Sequence, residues 1–167
     1  MKKSKLLSIF LALIMVLSLL TPAVFAEGPA SYPEGTVIIS LDADGKPQEA
    51  AGEGWTYSDG KLTLNSGSFA ADGCCTAEVY NHAVIVGGTY NGTVYNTDTV
   101  DQTKTAVCGT ISGGIFNGEV VSFHPWNYCT INDGIFNGKV TLGNHSLVNG
   151  GTFNSDVNCS VLGCKVN

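Results

Sequence analysis

Ser112-Gly113-Gly114-Ile115-Phe116-Asn117-Gly118-Glu119-Val120 is followed 20 residues later by Asn132-Asp133-Gly134-Ile135-Phe136-Asn137-Gly138-Lys139-Val140. Looser copies stand on either side: Asn65-Ser66-Gly67-Ser68-Phe69, Val86-Gly87-Gly88-Thr89-Tyr90 and Asn149-Gly150-Gly151-Thr152-Phe153. Aligned on Gly67, Gly88, Gly114, Gly134 and Gly151, the copies are 21, 26, 20 and 17 residues apart. A period near 20 that varies by insertion is the mark of solenoid coils.

Columns through the alignment explain why the chain coils. Three residues before each anchor stand Leu64, Ile85, Ile111, Ile131 and Val148; two after it stand Phe69, Tyr90, Phe116, Phe136 and Phe153. Four residues beyond the rings come Val94, Val120, Val140 and Val157. Apolar columns of this kind arise when successive coils stack strand on strand, about 4.8 Å apart, around one continuous core. Asn91, Asn117, Asn137 and Asn154 follow the aromatic, and three of them precede a glycine. Asn-Gly suits backbone at positive φ and so predicts corners. Stacked asparagines also pass amide hydrogen bonds from coil to coil.

Ahead of the repeats, Thr36 to Leu41 alternates as a strand, turns are expected at Asp44-Gly45 and Asp59-Gly60, and Trp55, Tyr57, Leu62 and Leu64 supply apolar positions. This stretch predicts a β-rich cap in which Trp55 covers the end of the core. The expected fold is therefore all-β, a single-stranded parallel β-helix of about five coils. Its divisions are a leader over 1–26, a strand and hairpin cap over 27–64, and solenoid repeats over 65–167 closed at the carboxy end by a disulfide.

Gly54, Trp55 and Tyr57, the strand Leu62-Thr63-Leu64, and the repeated Gly-Gly-x-Phe-Asn together resemble the right-handed parallel β-helix modules of secreted and cell-surface proteins of Gram-positive bacteria. The resemblance covers roughly 54–157 and implies the same fold. It also implies a carbohydrate-binding or adhesive role.

The leader rests on its own signature. Met1-Lys2-Lys3-Ser4-Lys5 is basic, Leu6 to Leu20 is apolar, and Val24 and Ala26 are small residues before Glu27. The apolar run is shorter than the roughly 20 residues that span a bilayer, so export is expected, with surface attachment left open. Removing the leader leaves five lysines and no arginine against 14 acids, a net charge of −9. Nucleic acid and anionic membranes are thereby excluded as partners. A glycan or another cell-surface component remains, and so does self-association. No cofactor is expected.

Six cysteines survive: Cys74, Cys75, Cys108, Cys129, Cys159 and Cys164. Export favours disulfides. Cys108 and Cys129 lie on neighbouring coils, within the reach of a bridge, and Cys159 with Cys164 would close a short terminal loop. Adjacent Cys74 and Cys75 either bridge each other or pair separately. A competing reading notes that His82, Cys108, Cys129 and His145 share one stripe and are zinc-type ligands. Four such positions span about 14 Å, however, so only two or three could meet one ion.

Recognition is expected on insertions. A polar loop runs from Tyr95 to Thr103, and the next coil carries Phe123-His124-Pro125-Trp126-Asn127-Tyr128. There Tyr95, Phe123, Trp126 and Tyr128 would stack on sugar rings while His124 and Asn127 supply hydrogen bonds. Alternatively Trp126 folds back over the core. An enzyme of this fold is the third reading, since a glycosidase needs two carboxyl groups about 5–9.5 Å apart. Glu119 and Asp156 share a column, but Lys139 lies between them, and pairing with it explains an acid there more simply.

Overall fold

The computed structural model describes residues 31–97, 108–123, 128–159 and 164–167. The leader, the polar loop beyond Thr97 and the segment 124–127 lie outside them. In chain order the strands begin with β1 (Thr36–Ser40), then β2 (Ala51–Gly52), β3 (Trp55–Ser58) and β4 (Lys61–Leu64). β5 (Ser68–Cys75), β6 (Glu78–Asn81), β7 (Val84–Tyr90) and β8 (Val94–Asn96) follow. Three turns of three short strands come next: β9 (Thr110–Ile111), β10 (Ile115–Phe116) and β11 (Val120–Ser122); β12 (Cys129–Ile131), β13 (Ile135–Phe136) and β14 (Val140–Leu142); β15 (Ser146–Val148), β16 (Thr152–Phe153) and β17 (Val157–Cys159). β18 (Lys165–Val166) starts another turn.

From β4 onward each strand pairs in parallel with its counterparts in neighbouring coils, giving a β-solenoid of about five turns. Each coil has three sides. The first half of β7, with β9, β12, β15 and β18, makes the first; the second half of β7, with β10, β13 and β16, makes the second. β6, β8, β11, β14 and β17 make the third. From the second coil on, the bend between first and second sides falls on the anchor glycines Gly88, Gly114, Gly134 and Gly151; in the first coil Gly73 takes that place, and all five have positive φ.

The core follows the expected columns from the second coil on. Val84–Tyr90 lies in register with Thr110–Ile111 and Ile115–Phe116, so Ile85, Ile111, Ile131 and Val148 stack inside. The rings of Tyr90, Phe116, Phe136 and Phe153 stack nearly parallel, with centroids 5.2, 4.9 and 4.8 Å apart. Leu62 and Val79 extend the column of Val94, Val120 and Val140 backward.

The first coil is where the alignment fails. Phe69 is buried but pairs with Ile85, Cys75 takes the position opposite Tyr90, and Leu64 lies on the third side opposite Asn81. The aromatic stack therefore has four rings, and Phe69 and Leu64 belong to other columns than the sequence suggests. The cause is β5, whose register slips between Phe69 and Ala70 and again between Ala70 and Cys74. Such bulges insert residues that a gap-free alignment cannot see.

Among the cap residues, β1 pairs in parallel with β5 and so continues the first-side sheet. β2, β3 and β4 form an antiparallel meander that ends the third side. Trp55 on β3 is buried in the core cluster.

The Asn-Gly corners form for a different reason than predicted. Gly92, Gly118 and Gly138 do not have positive φ. A methyl at Gly118 would collide with the carbonyl oxygen of Gly92, one at Gly138 with that of Gly118, and one at Gly92 with that of Ala77. Coil spacing at this corner leaves room for hydrogen only. Asn117 and Gly118 both donate their backbone N–H to Tyr90 O, at 2.8 and 3.2 Å, which draws the corners together. The amide ladder forms as expected: Asn117 Nδ2 donates to Asn91 Oδ1 at 2.8 Å, Asn137 to Asn117 at 2.8 Å and Asn154 to Asn137 at 2.7 Å.

A second polar file runs inside the wall and was not foreseen. Asn81, Asn96, Ser122 and Ser146 are fully buried. Asn81 Nδ2 donates to Asn96 Oδ1 at 2.8 Å, Asn96 Nδ2 reaches Ser122 Oγ at 3.4 Å, and Ser146 Oγ donates to Ser122 O at 2.7 Å. Buried amides are tolerated here because these bonds replace the ones given up to water.

Candidate functional site

Phe123 directly follows β11 and Tyr128 directly precedes β12, so both rings stand at the corner between the third and first sides. Phe123 is 44% exposed and Tyr128 45%, which makes them the exposed aromatics among the described residues. Phe123 lies over the next coil, where a methyl at Gly143 would run into its ring. Tyr128 meets the His145 ring edge-on, with centroids 5.3 Å apart, and the Lys165 ammonium lies 5.6 Å from the Tyr128 centroid. At such an exposed place a cation over a ring contributes on the order of 0.5–1 kcal/mol. These neighbours fix the ring while leaving much of it in water. His124, Trp126 and Asn127, expected to complete the site, lie outside the described residues.

Tyr95 projects from the outside of the third side, in register with Val121, two residues before Phe123 and one coil earlier. Alternation along β11 turns Val121 and Phe123 to the same outer face. Tyr95 thus borders the corner. Its ring stacks on that of Tyr80, with centroids 5.0 Å apart and planes 21° from parallel, and the Lys61 ammonium lies 5.6 Å from the Tyr80 centroid. Stacking along the coil axis leaves the ring edges and hydroxyls facing outward.

Carboxylates line this face. Glu78 Oε1 accepts the Tyr80 hydroxyl at 2.9 Å, a bond that, with partial burial, raises the pKa of the phenol above its ordinary value. Tyr95 is raised as well, first by burial and then by the charge of Glu78. Glu119 accepts Thr141 Oγ1 at 2.9 Å and pairs with Lys139 at 3.3 Å; the hydroxyl and then the lysine hold its carboxyl below the usual range. The expected pairing of Glu119 with Lys139 is present. Glu119 is engaged with these two partners.

Tyr80, Glu78, Lys61 and Thr141 were missed in the sequence, although a signal was there. Val79-Tyr80-Asn81 and Val94-Tyr95-Asn96 are the same tripeptide 15 residues apart.

The histidine and cysteine stripe resolves into a bridge. Cys108 and Cys129 form a disulfide with Cα atoms 4.9 Å apart, which removes both thiolates from any zinc set with His82 and His145. Cys129 points inward and is fully buried, whereas Tyr128, one position earlier, takes the outward place in the stripe. Among the described residues no group of three or more His, Cys, Asp or Glu side chains is placed to hold an ion.

Cys159 and Cys164 form the second disulfide, with Cα atoms 6.4 Å apart. Cys74 and Cys75, expected to be bridged, are free thiols. Strand alternation explains this: Cys74 is exposed opposite Thr89, and Cys75 is buried opposite Tyr90, where burial raises its thiol. Among the described residues no helix is long and apolar enough to cross a membrane. No family model, no curated protein and no solved structure matches this chain.

Proposed function

We propose that this chain is a non-catalytic extracellular protein that binds glycan, or a glycan-like cell-surface component, at the corner where the third side meets the first. Tyr95, Phe123 and Tyr128 supply apolar ring surface there; of the connecting segment, Trp126 is assigned the same role, and His124 and Asn127 that of hydrogen-bonding the sugar. The observation that carries the reading is the exposure of two aromatic rings, Phe123 and Tyr128, at one corner of the solenoid. Aromatic groups placed in water on a disulfide-braced scaffold are what sugar stacking requires. The basic-apolar leader and two disulfides support export. The resemblance to Gram-positive surface modules supports the same assignment.

A glycan array with the secreted protein tests it. Binding that disappears in Tyr128→Ala and Trp126→Ala, with melting temperature unchanged, is the expected result. A wild-type protein that gives no glycan signal refutes it.

One observation favours a second reading, self-association. Val157 and Val166 continue inward columns yet are 42% and 66% exposed at the last described coil. A particle size that grows with concentration in light scattering and falls in Val166→Lys supports this reading over the first.

A further inference from the structure

β1 pairs with β5 on one edge and, among the described residues, has no strand on the other. Ser40 O accepts the Gln48 N–H at 3.1 Å, and the Thr36 N–H donates to Pro33 O at 3.1 Å, so both peptide groups point away from β5. Backbone direction alternates along a strand. The N–H and C=O of Ile38 therefore face the same open side, between those two bonds.

Beside this edge lies a groove of about 310 Å³, lined on one side by Val37 and Ile38 and on the other by Glu49, Glu53 and Trp55. No lysine lines it. Ile38 is 44% exposed, and the Trp55 indole, almost fully buried, forms part of the floor.

We propose that this groove docks an extended basic peptide segment, which adds to β1 as a further strand. The main chain of the segment bonds to Ile38, an apolar side chain settles over Val37 and Trp55, and a lysine or arginine reaches Glu49 and Glu53. Strand addition draws affinity from the backbone and specificity from alternate side chains. An open peptide edge calls for another peptide, which a sugar or an apolar small molecule does not supply. The two carboxylates choose its charge. A second copy of this chain, with 14 acids, eight lysines and no arginine, fits poorly.

The test is calorimetric titration of the secreted protein with an end-blocked hexapeptide of alternating lysine and valine, set against its glutamate–valine counterpart. The lysine peptide binds, more weakly as salt rises, and the acidic one does not. Glu49→Gln with Glu53→Gln weakens binding about tenfold. Ile38→Pro removes the outward N–H and abolishes it. Protection of the Ile38 amide from hydrogen exchange in the complex checks the mode in the unmutated protein. Tyr128→Ala leaves binding unchanged, which keeps this site separate from the proposed glycan corner.

The inference is overturned by absence of binding, by equal binding of the acidic peptide, or by lysine-peptide binding that neither set of variants alters. It is also overturned if the groove takes neutral oligosaccharide instead, or if light scattering shows a dimer that Ile38→Pro disperses.

Discussion

Residue 118 has room for one hydrogen atom where other residues carry a side chain. Its Cα faces the Gly92 carbonyl across the coil spacing, as Gly138 faces Gly118. Gly118→Ala forces the corner apart and lowers stability by about 1–3 kcal/mol, measurable by urea unfolding. The sequence identified this corner but misread its cause. Asn-Gly is a turn signal in any single chain, whereas the close approach exists only once two coils are stacked.

Glu119 carries a prediction of pH. Its folded value lies below the ordinary 4.5 because Thr141 donates to it and Lys139 pairs with it. A carboxyl depressed on folding adds stability above its unfolded value, and that contribution fades as pH falls through the folded one. NMR titration should place its midpoint below 4.5, and Thr141→Val should move it upward. Little stability is involved, since the Glu119 side chain is 39% exposed.

Among the elements, the aromatic file and the two polar files can be compared directly. Phe116 stacks on rings above and below, while Phe153 has one such neighbour and is only half-buried. Phe116→Ala should cost about 3–5 kcal/mol in chemical unfolding, with Phe153→Ala well under that. Asn96→Ala strips a partner from buried Asn81 and should cost about 1–3 kcal/mol, whereas Asn117→Ala on the exposed ladder costs less because water replaces the lost bond.

The outer ladder was legible because its asparagines recur at one fixed place after the aromatic. The inner file was not, because polar residues at alternating strand positions read as solvent-facing until the opposite wall is known. Tyr80 escaped for a related reason, since its tripeptide precedes the anchor Gly88 and carries no glycine of its own to mark the repeat. In the first coil, the bulged β5 broke the register that the rest of the chain keeps.

For the molecule as a whole, the Cys108–Cys129 bridge spans 21 residues and ties one coil to the next. Opening it by Cys108→Ser with Cys129→Ser should lower stability by about 3 kcal/mol on chain-entropy grounds, read as a fall in melting temperature. The Cys159–Cys164 bridge, with a separation of five, should contribute less. Since each coil touches only its neighbours, the first loss should appear near the opened bridge before it spreads. That pattern is visible by hydrogen exchange along the strands. The fold class and the bridging of Cys108 with Cys129 were readable beforehand from periodicity and coil spacing, while the fate of Cys74 and Cys75 depended on which side of β5 each one faces.

The parallel pairing of each turn on the one before it also gives assembly an order. A chain released amino end first lays down β1 and β5 while later turns are still unmade, so every new coil meets a finished edge to copy. Growth of the wall resembles adding courses of brick, and losing the lowest course should harm it more than losing the top one.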